Sequence, residues 1–307
     1  MPYPYLYNSS DIEAMNRRDV LQWISEFEQP TTKNPTRSNR KLQNSIERLY
    51  EAFPYPTPTK IVTDEYSDIT PEEVTQLTNA DASKLTWDSL KPVINDILLT
   101  WGTVEVYKSY LPRILELFAI ARDNRLFSTQ VILGRVIKAR WREWPKAEQM
   151  ALEQYYRALW NDTLVKELQG NQWESSWEVF DTFDSISVIL EEPVEFIAVW
   201  NSLLKTPQTA LRLANNIFRI APTLQGFPER FVQNWWPHQK SSQDIIDVRT
   251  KVLYQWVTSS PVRIAFEESF YHFSRIGHDE AADICSEAEQ LSRCIPEGYN
   301  EFEEGQP

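Results

Sequence analysis

Glycine is scarce in this chain, with 7 in 307 residues. Two-residue hairpin turns, glycine-rich phosphate loops and repeated β-bulges all draw on the left-handed backbone that glycine supplies without strain, so the scarcity points to helices. Cysteine is rarer, with 2. Cys285 and Cys294 fall on one predicted helix, and the advance of about 100° per residue turns them to roughly opposite faces, which argues against a disulfide between them. Two thiols without clustered histidines also fall short of the four nitrogen or sulfur ligands of a structural zinc site. No stretch approaches the roughly 18 apolar residues of a membrane span. H-E-x-x-H, C-x-x-C, G-x-x-x-x-G-K, the dinucleotide glycine fingerprint, the aspartate-rich calcium loop and the G-x-S-x-G elbow are all missing, so the sequence carries no expectation of a metal or a cofactor.

Positive charge is in deficit: 31 Lys and Arg stand against 44 Asp and Glu, a formal charge of -13 with a pI near 4.9. That balance disfavours nucleic acid and anionic lipid, whose phosphates need cations, and would steer a basic protein partner inward. The opening Met1-Pro-Tyr-Pro-Tyr-Leu-Tyr7 lacks the basic and apolar regions of a secretion signal, which gives the expectation of a cytoplasmic protein.

What the chain does have is bulk. Its hydrophobic share is 42%, with 12 Trp, 13 Tyr and 14 Phe, enough large side chains to build an extensive core. Thr70-Pro71-Glu72-Glu73, Thr206-Pro207 and Ser260-Pro261 read as helix starts, each a capping hydroxyl followed by proline in the first turn. Periodicity then predicts helices near 10–28, 38–53, 71–79, 86–100, 104–121, 128–141, 145–169, 174–190, 193–204, 207–221, 227–238, 242–258, 261–276 and 278–293. Leu111, Ile114, Leu115 and Phe118 form one apolar stripe, and Pro112 is read as the first turn of the helix that carries it. In the 207–221 helix, Leu211, Ala214 and Phe218 mark one stripe and Leu213, Ile217 and Ile220 another, so that helix should lie inside.

The expected architecture is all-α, either stacked antiparallel hairpins in an irregular HEAT-like solenoid or a large helical bundle. It is read as one domain over 1–307: an N-terminal helical pair at 10–53, a proline-rich and acidic connection at 54–70, a main helical body at 71–295, and an acidic tail at 296–307 expected to be mobile.

Chemistry-bearing residues are sparse. Glu268 and His272, spaced i, i+4, form the one pair suited to proton transfer, and an exposed helix face explains them equally well. His278-Asp279-Glu280 reads as a helix opening, and His238 as a surface imidazole. The unusual cluster is basic: Arg135, Lys138, Arg140, Arg142 and Lys146 interleaved with Trp141 and Trp144. Arginine beside exposed tryptophan is a common composition for binding hot spots, so Arg135, Lys138, Arg140, Trp141, Arg142 and Trp144 are the candidate partner-binding residues. The competing reading packs both indoles between helices and pairs the cations with nearby groups. Arg113 and Glu116 are expected to form an ion pair, with a second possible role in fixing the turn after Trp101-Gly102.

Trp101-Gly102, Tyr107, Tyr110-Leu-Pro-Arg-Ile-Leu-Glu-Leu117, Trp141-x-x-Trp144-Pro-x-x-Glu148 and Leu49-Tyr-Glu-Ala-Phe53 with the proline-rich segment behind it resemble a group of all-helical proteins from bacterial genomes. The resemblance spans roughly residues 45–160. It implies a bacterial, cytoplasmic, helical protein and carries over neither an activity nor any site residue. Some relatives carry a small cysteine cluster just after the proline-rich segment, whereas this chain has Lys60 to Asp68 there, so a metal role in that position is not implied.

The functional expectation is a protein–protein interaction module of the immunity or antitoxin type, docking a basic protein partner, with no membrane; nucleic acid is disfavoured, and contact with it through the Arg135 to Lys146 cluster is the weakest of the readings. The alternative is an enzyme with its site on a concave helical surface, using Glu268 and His272 or other carboxylates.

Overall fold

The computed structural model describes residues 37–63, 67, 69–120, 129–165, 177–224 and 252–303, and these belong to a single unit beginning at Arg37. The helices predicted at 10–28 and 227–238 and most of the one at 242–258 lie outside the described residues, as does His238.

Among the described residues the regular elements are helices: α1 (Arg37–Ala52), α2 (Pro71–Asn79), α3 (Trp87–Asp96), α4 (Val104–Ile120), α5 (Thr129–Lys138), α6 (Lys146–Val165), α7 (Trp177–Leu190), α8 (Pro193–Leu203), α9 (Pro207–Leu224), α10 (Ser260–Arg275) and α11 (Asp279–Glu303). Short 3-10 turns sit at Ala82–Lys84 and Trp141–Glu143, and 252–257 is helical. The only strand-like pairing among them is a pair of isolated bridges, Thr63 with Trp101 and Ile97 with Trp101. None of the described helices is long and apolar enough to cross a membrane.

Local sequence explains where several helices start. Thr70 and Glu73 form a reciprocal capping box with Pro71 in the first turn of α2, satisfying two amide donors that a helix start leaves open. Thr86 accepts from Ser89 N to open α3, and Pro193 occupies the first turn of α8. For α10 the cap is Ser259, one residue earlier than the Ser260-Pro261 reading, and its side chain makes no capping bond.

Three boundaries depart from the sequence reading. The helix predicted to run to 100 ends at Asp96, because Leu98 takes a left-handed φ of 64° and its amide turns to Trp101 O at 2.9 Å. Pro112 lies inside α4, not in its first turn. Proline there removes the bond to the Lys108 carbonyl, a cost of about 3 kcal/mol in an isolated helix. The burial of Leu111, Ile114, Leu115 and Phe118, each at most 6% exposed, holds α4 together across the break. Finally α11 continues through Pro296 to Glu303, into the segment expected to be a non-helical tail.

Packing proceeds by neighbouring helices. α1 lies along α6, α2 on α3, α3 on α4, α5 on α7, and α7 also touches α6 and α8. In the C-terminal part α9, α10 and α11 pack mutually, and α9 reaches α7 as well. Such enclosure is what the two apolar stripes of α9 require: Leu211, Leu213, Ala214 and Ile217 are all buried. An aromatic seam runs through this body, with Trp160 against Phe183, Phe196 and Trp200 and Trp200 against Trp256.

Candidate interaction surface

The two indoles of the basic and tryptophan-rich segment point inward. Trp141 is 2% exposed and Trp144 6%, so no indole of the segment is free for stacking. Trp144 donates through Nε1 to Ala139 O and meets Phe53 edge-on, with ring centres 5.8 Å apart. Its arginines act as caps. Arg135 Nη2 donates to the carbonyls of Ile94 and Asn95 at the end of α3, and burial pulls its pKa below the usual arginine value. Arg142 Nη2 donates to Ile189 O and Leu190 O at the end of α7, while its Nε stands 3.3 Å from Glu191.

Two further arginines repeat the device. Arg212 reaches Thr163 O and Leu164 O near the end of α6, and Arg113 donates to Leu85 O after the first 3-10 turn. The last carbonyls of a helix have no partner within it and carry the negative end of its dipole, so a guanidinium is well suited to them. Of the six candidate residues only Lys138, Arg140 and Arg142 are exposed, and Arg140 is bridged to Glu143. Arg113 does pair with Glu116 at 2.8 Å, but the turn it secures precedes α3 rather than following Gly102. Glu116 also accepts from the Tyr50 hydroxyl, which ties α1 to α4.

A cluster that the sequence reading missed joins the proline-rich segment to the body. The Lys108 ammonium lies 2.7 Å from Glu148 Oε2, with the two side chains 8% and 5% exposed. Tyr55 donates its hydroxyl to Glu148 Oε1 at 2.6 Å, and this bond, with burial, raises the tyrosine pKa. Lys108 Nζ also stands over the Trp144 ring, 4.5 Å from its centre. Glu148 thus meets Tyr55 by a hydrogen bond and Lys108 by an ion pair, which suits the knot to holding the chain around Tyr55 in place.

Nearby, a narrow cleft lined by Ile94, Tyr107, Ile114, Val131, Ile132 and Arg135 has no room for a water molecule. The hydroxyls of Tyr107 and Tyr156 and the Nε of Arg135 are buried without a hydrogen-bond partner. Burial drives the pKa of both tyrosines upward.

Glu268 and His272 sit on α10, Glu268 exposed and His272 half-buried, the imidazole edge-on to Phe273 at 5.2 Å. Among the described residues no group of three or more His, Cys, Asp or Glu comes together as a metal site. Cys285 is a buried free thiol.

The outward side of the α10–α11 hairpin is different in kind. Ile264, Tyr271 and Ile276 are 52%, 57% and 53% exposed. On the same hairpin Glu267, Glu268, Asp279, Glu280, Asp283 and Glu287 are exposed, as are the cations Arg275 and Arg293, the second of which is bridged to Glu289. Sequence periodicity alone marks such a helix as amphipathic but does not say that its outer side retains apolar side chains. Comparison with protein-family models, with curated proteins and with solved structures finds no match.

Proposed function

We propose that this protein is a helical interaction module that docks a basic protein partner on its acidic exterior. The observation that carries the reading is the α10–α11 hairpin, whose residues expose six carboxylates together with the apolar side chains of Ile264, Tyr271 and Ile276. A surface that is both negative and partly apolar suits a cationic protein, since charge speeds encounter and apolar contact slows release. The overall charge of -13 adds a long-range field of the same sign. Trp141 and Trp144 are buried and Arg135 and Arg142 bond helix-end carbonyls, so the C-terminal hairpin is the surface proposed for docking.

Affinity purification of the full chain from its source cells, washed at increasing salt, tests this. The expected result is a basic partner retained at low ionic strength and displaced as salt rises above about 0.15 M, where screening shortens the reach of surface charge to roughly 8 Å. Recovery of acidic proteins only, or of nothing in repeated low-salt attempts, overturns the proposal.

A further inference from the structure

The outer face of α10 has a more specific character than general acidity. Ile264, Glu267, Glu268 and Tyr271 follow one another at i, i+3, i+4 and i+7, so they line one strip of the helix. The opposite face, Val262, Ala265, Phe266, Ser269 and Phe273, is buried against the body, which fixes the strip outward. Phe270 braces the Tyr271 ring edge-on at 5.2 Å between centres. A buried inner face makes the strip rigid before any partner arrives, and that lowers the ordering cost of binding.

We infer that this strip is the docking site for one amphipathic helix of a partner protein, apolar along one face and rimmed by lysine or arginine. The inference rests on the interaction reading above and names its epitope. Two apolar side chains two turns apart match the spacing at which a helix presents its own anchors. Glu267 and Glu268 between them match flanking cations on the incoming helix. Charge selects among occupants: a second copy of this chain would set these carboxylates against themselves, and a nucleic acid or anionic bilayer would meet like charge.

Fluorescence anisotropy on the full chain tests the strip, using a labelled synthetic leucine–lysine peptide with leucine on one helical face and a scrambled peptide of the same composition. The wild-type protein is expected to bind the facial peptide about tenfold more tightly than the scrambled one. The double variant Ile264→Ser/Tyr271→Ser, changed only at exposed positions, is expected to erase that preference. Glu267→Lys/Glu268→Lys is expected to weaken binding about tenfold. Glu47→Lys/Glu51→Lys makes the same change in net charge on exposed positions of α1 and is expected to weaken it less than about twofold. If the two charge reversals weaken binding equally, or if the facial preference survives loss of Ile264 and Tyr271, the strip is not the site and only the general acidic reading stands. If neither peptide binds at low salt, the acidic-partner reading falls and takes the strip with it.

Discussion

Arg142 holds its guanidinium 3.1 Å from the Leu190 carbonyl, so the turn before α6 closes the far end of α7. Arg135 does the same for α3 through Ile94 and Asn95. The two differ in exposure: the Arg142 side chain is 47% exposed, whereas Arg135 is largely enclosed. Replacement by methionine keeps the aliphatic stem and removes the donors. Arg135→Met is expected to cost about 1–3 kcal/mol, because its half-buried guanidinium is the less screened donor, and Arg142→Met less than about 1 kcal/mol. Urea unfolding followed by circular dichroism measures both, and an inverted order refutes the capping account.

The Lys108–Glu148 pair predicts a different signature. Removing one partner strands a charge in a dry site, so Lys108→Met is expected to cost about 3–5 kcal/mol. The double variant Lys108→Met/Glu148→Leu leaves no orphaned charge and is expected to recover most of that loss. Equal stability of the single and double variants would show that the charges are solvated.

Adjacent tyrosines on α6 give a matched comparison. Tyr155 donates to Leu115 O at 2.8 Å, while the Tyr156 hydroxyl is buried with no partner. Tyr155→Phe is therefore expected to destabilise by about 1 kcal/mol, and Tyr156→Phe to be neutral or stabilising by up to about 1 kcal/mol, since it deletes a buried polar group that gains nothing. Thermal unfolding of the two single variants decides between this and a uniform effect.

Gly102 and Gly277 both hold a left-handed backbone, with φ of 77° and 74°. A Cβ at Gly102 would come within 2.9 Å of Ile97 Cγ1, while one at Gly277 meets nothing within 4 Å. Gly277→Ala is expected to cost only the backbone strain, about 1–2 kcal/mol. Gly102→Ala adds a clash with a buried isoleucine and is expected to cost roughly 2–4 kcal/mol. Denaturant midpoints at constant slope provide the measurement.

Burial pushes the Cys285 thiol up from 9.0 to about 12. In the unfolded chain the same thiol ionises near its ordinary value, so above that pH the unfolded state holds fewer protons than the folded one. The thiol's contribution is complete below about pH 9 and is lost as pH rises from 9 toward 12. Stability is expected to fall across that window, and Cys285→Ala is expected to flatten the slope. An unchanged slope in the variant would assign the alkaline loss to other groups.

The sequence made the helices legible because apolar spacing and proline caps are local signals. Pro71, Pro193 and Pro207 mark starts that the structure reproduces, and the Leu111 to Phe118 stripe faces the core. Pro112 misled because the same residue type that opens helices is tolerated inside one when tertiary burial outweighs a lost bond. Asp96 as an end was hidden, since a left-handed leucine has no sequence signature comparable to glycine's. The basic segment was visible as composition, but whether Trp141 and Trp144 face in or out depends on what packs over them. Lys108 and Tyr55 went unmarked, and Glu148 was named only within the Trp141 to Glu148 motif, for the same reason: they meet only across distant segments. The strip on α10 lay in plain view as Ile264, Glu267, Glu268 and Tyr271, yet its exposure follows from how α9 and α11 flank the other side.

The hydrogen bond from Tyr55 to Glu148 spans 93 residues of chain. A ribosome adding roughly 5–20 residues per second needs several seconds to make that stretch. During that interval Leu42, Leu49 and Phe53, all covered in the finished protein, have not yet met α6. Synthesis therefore leaves the greasy side of α1 waiting for its cover until the far segment has emerged.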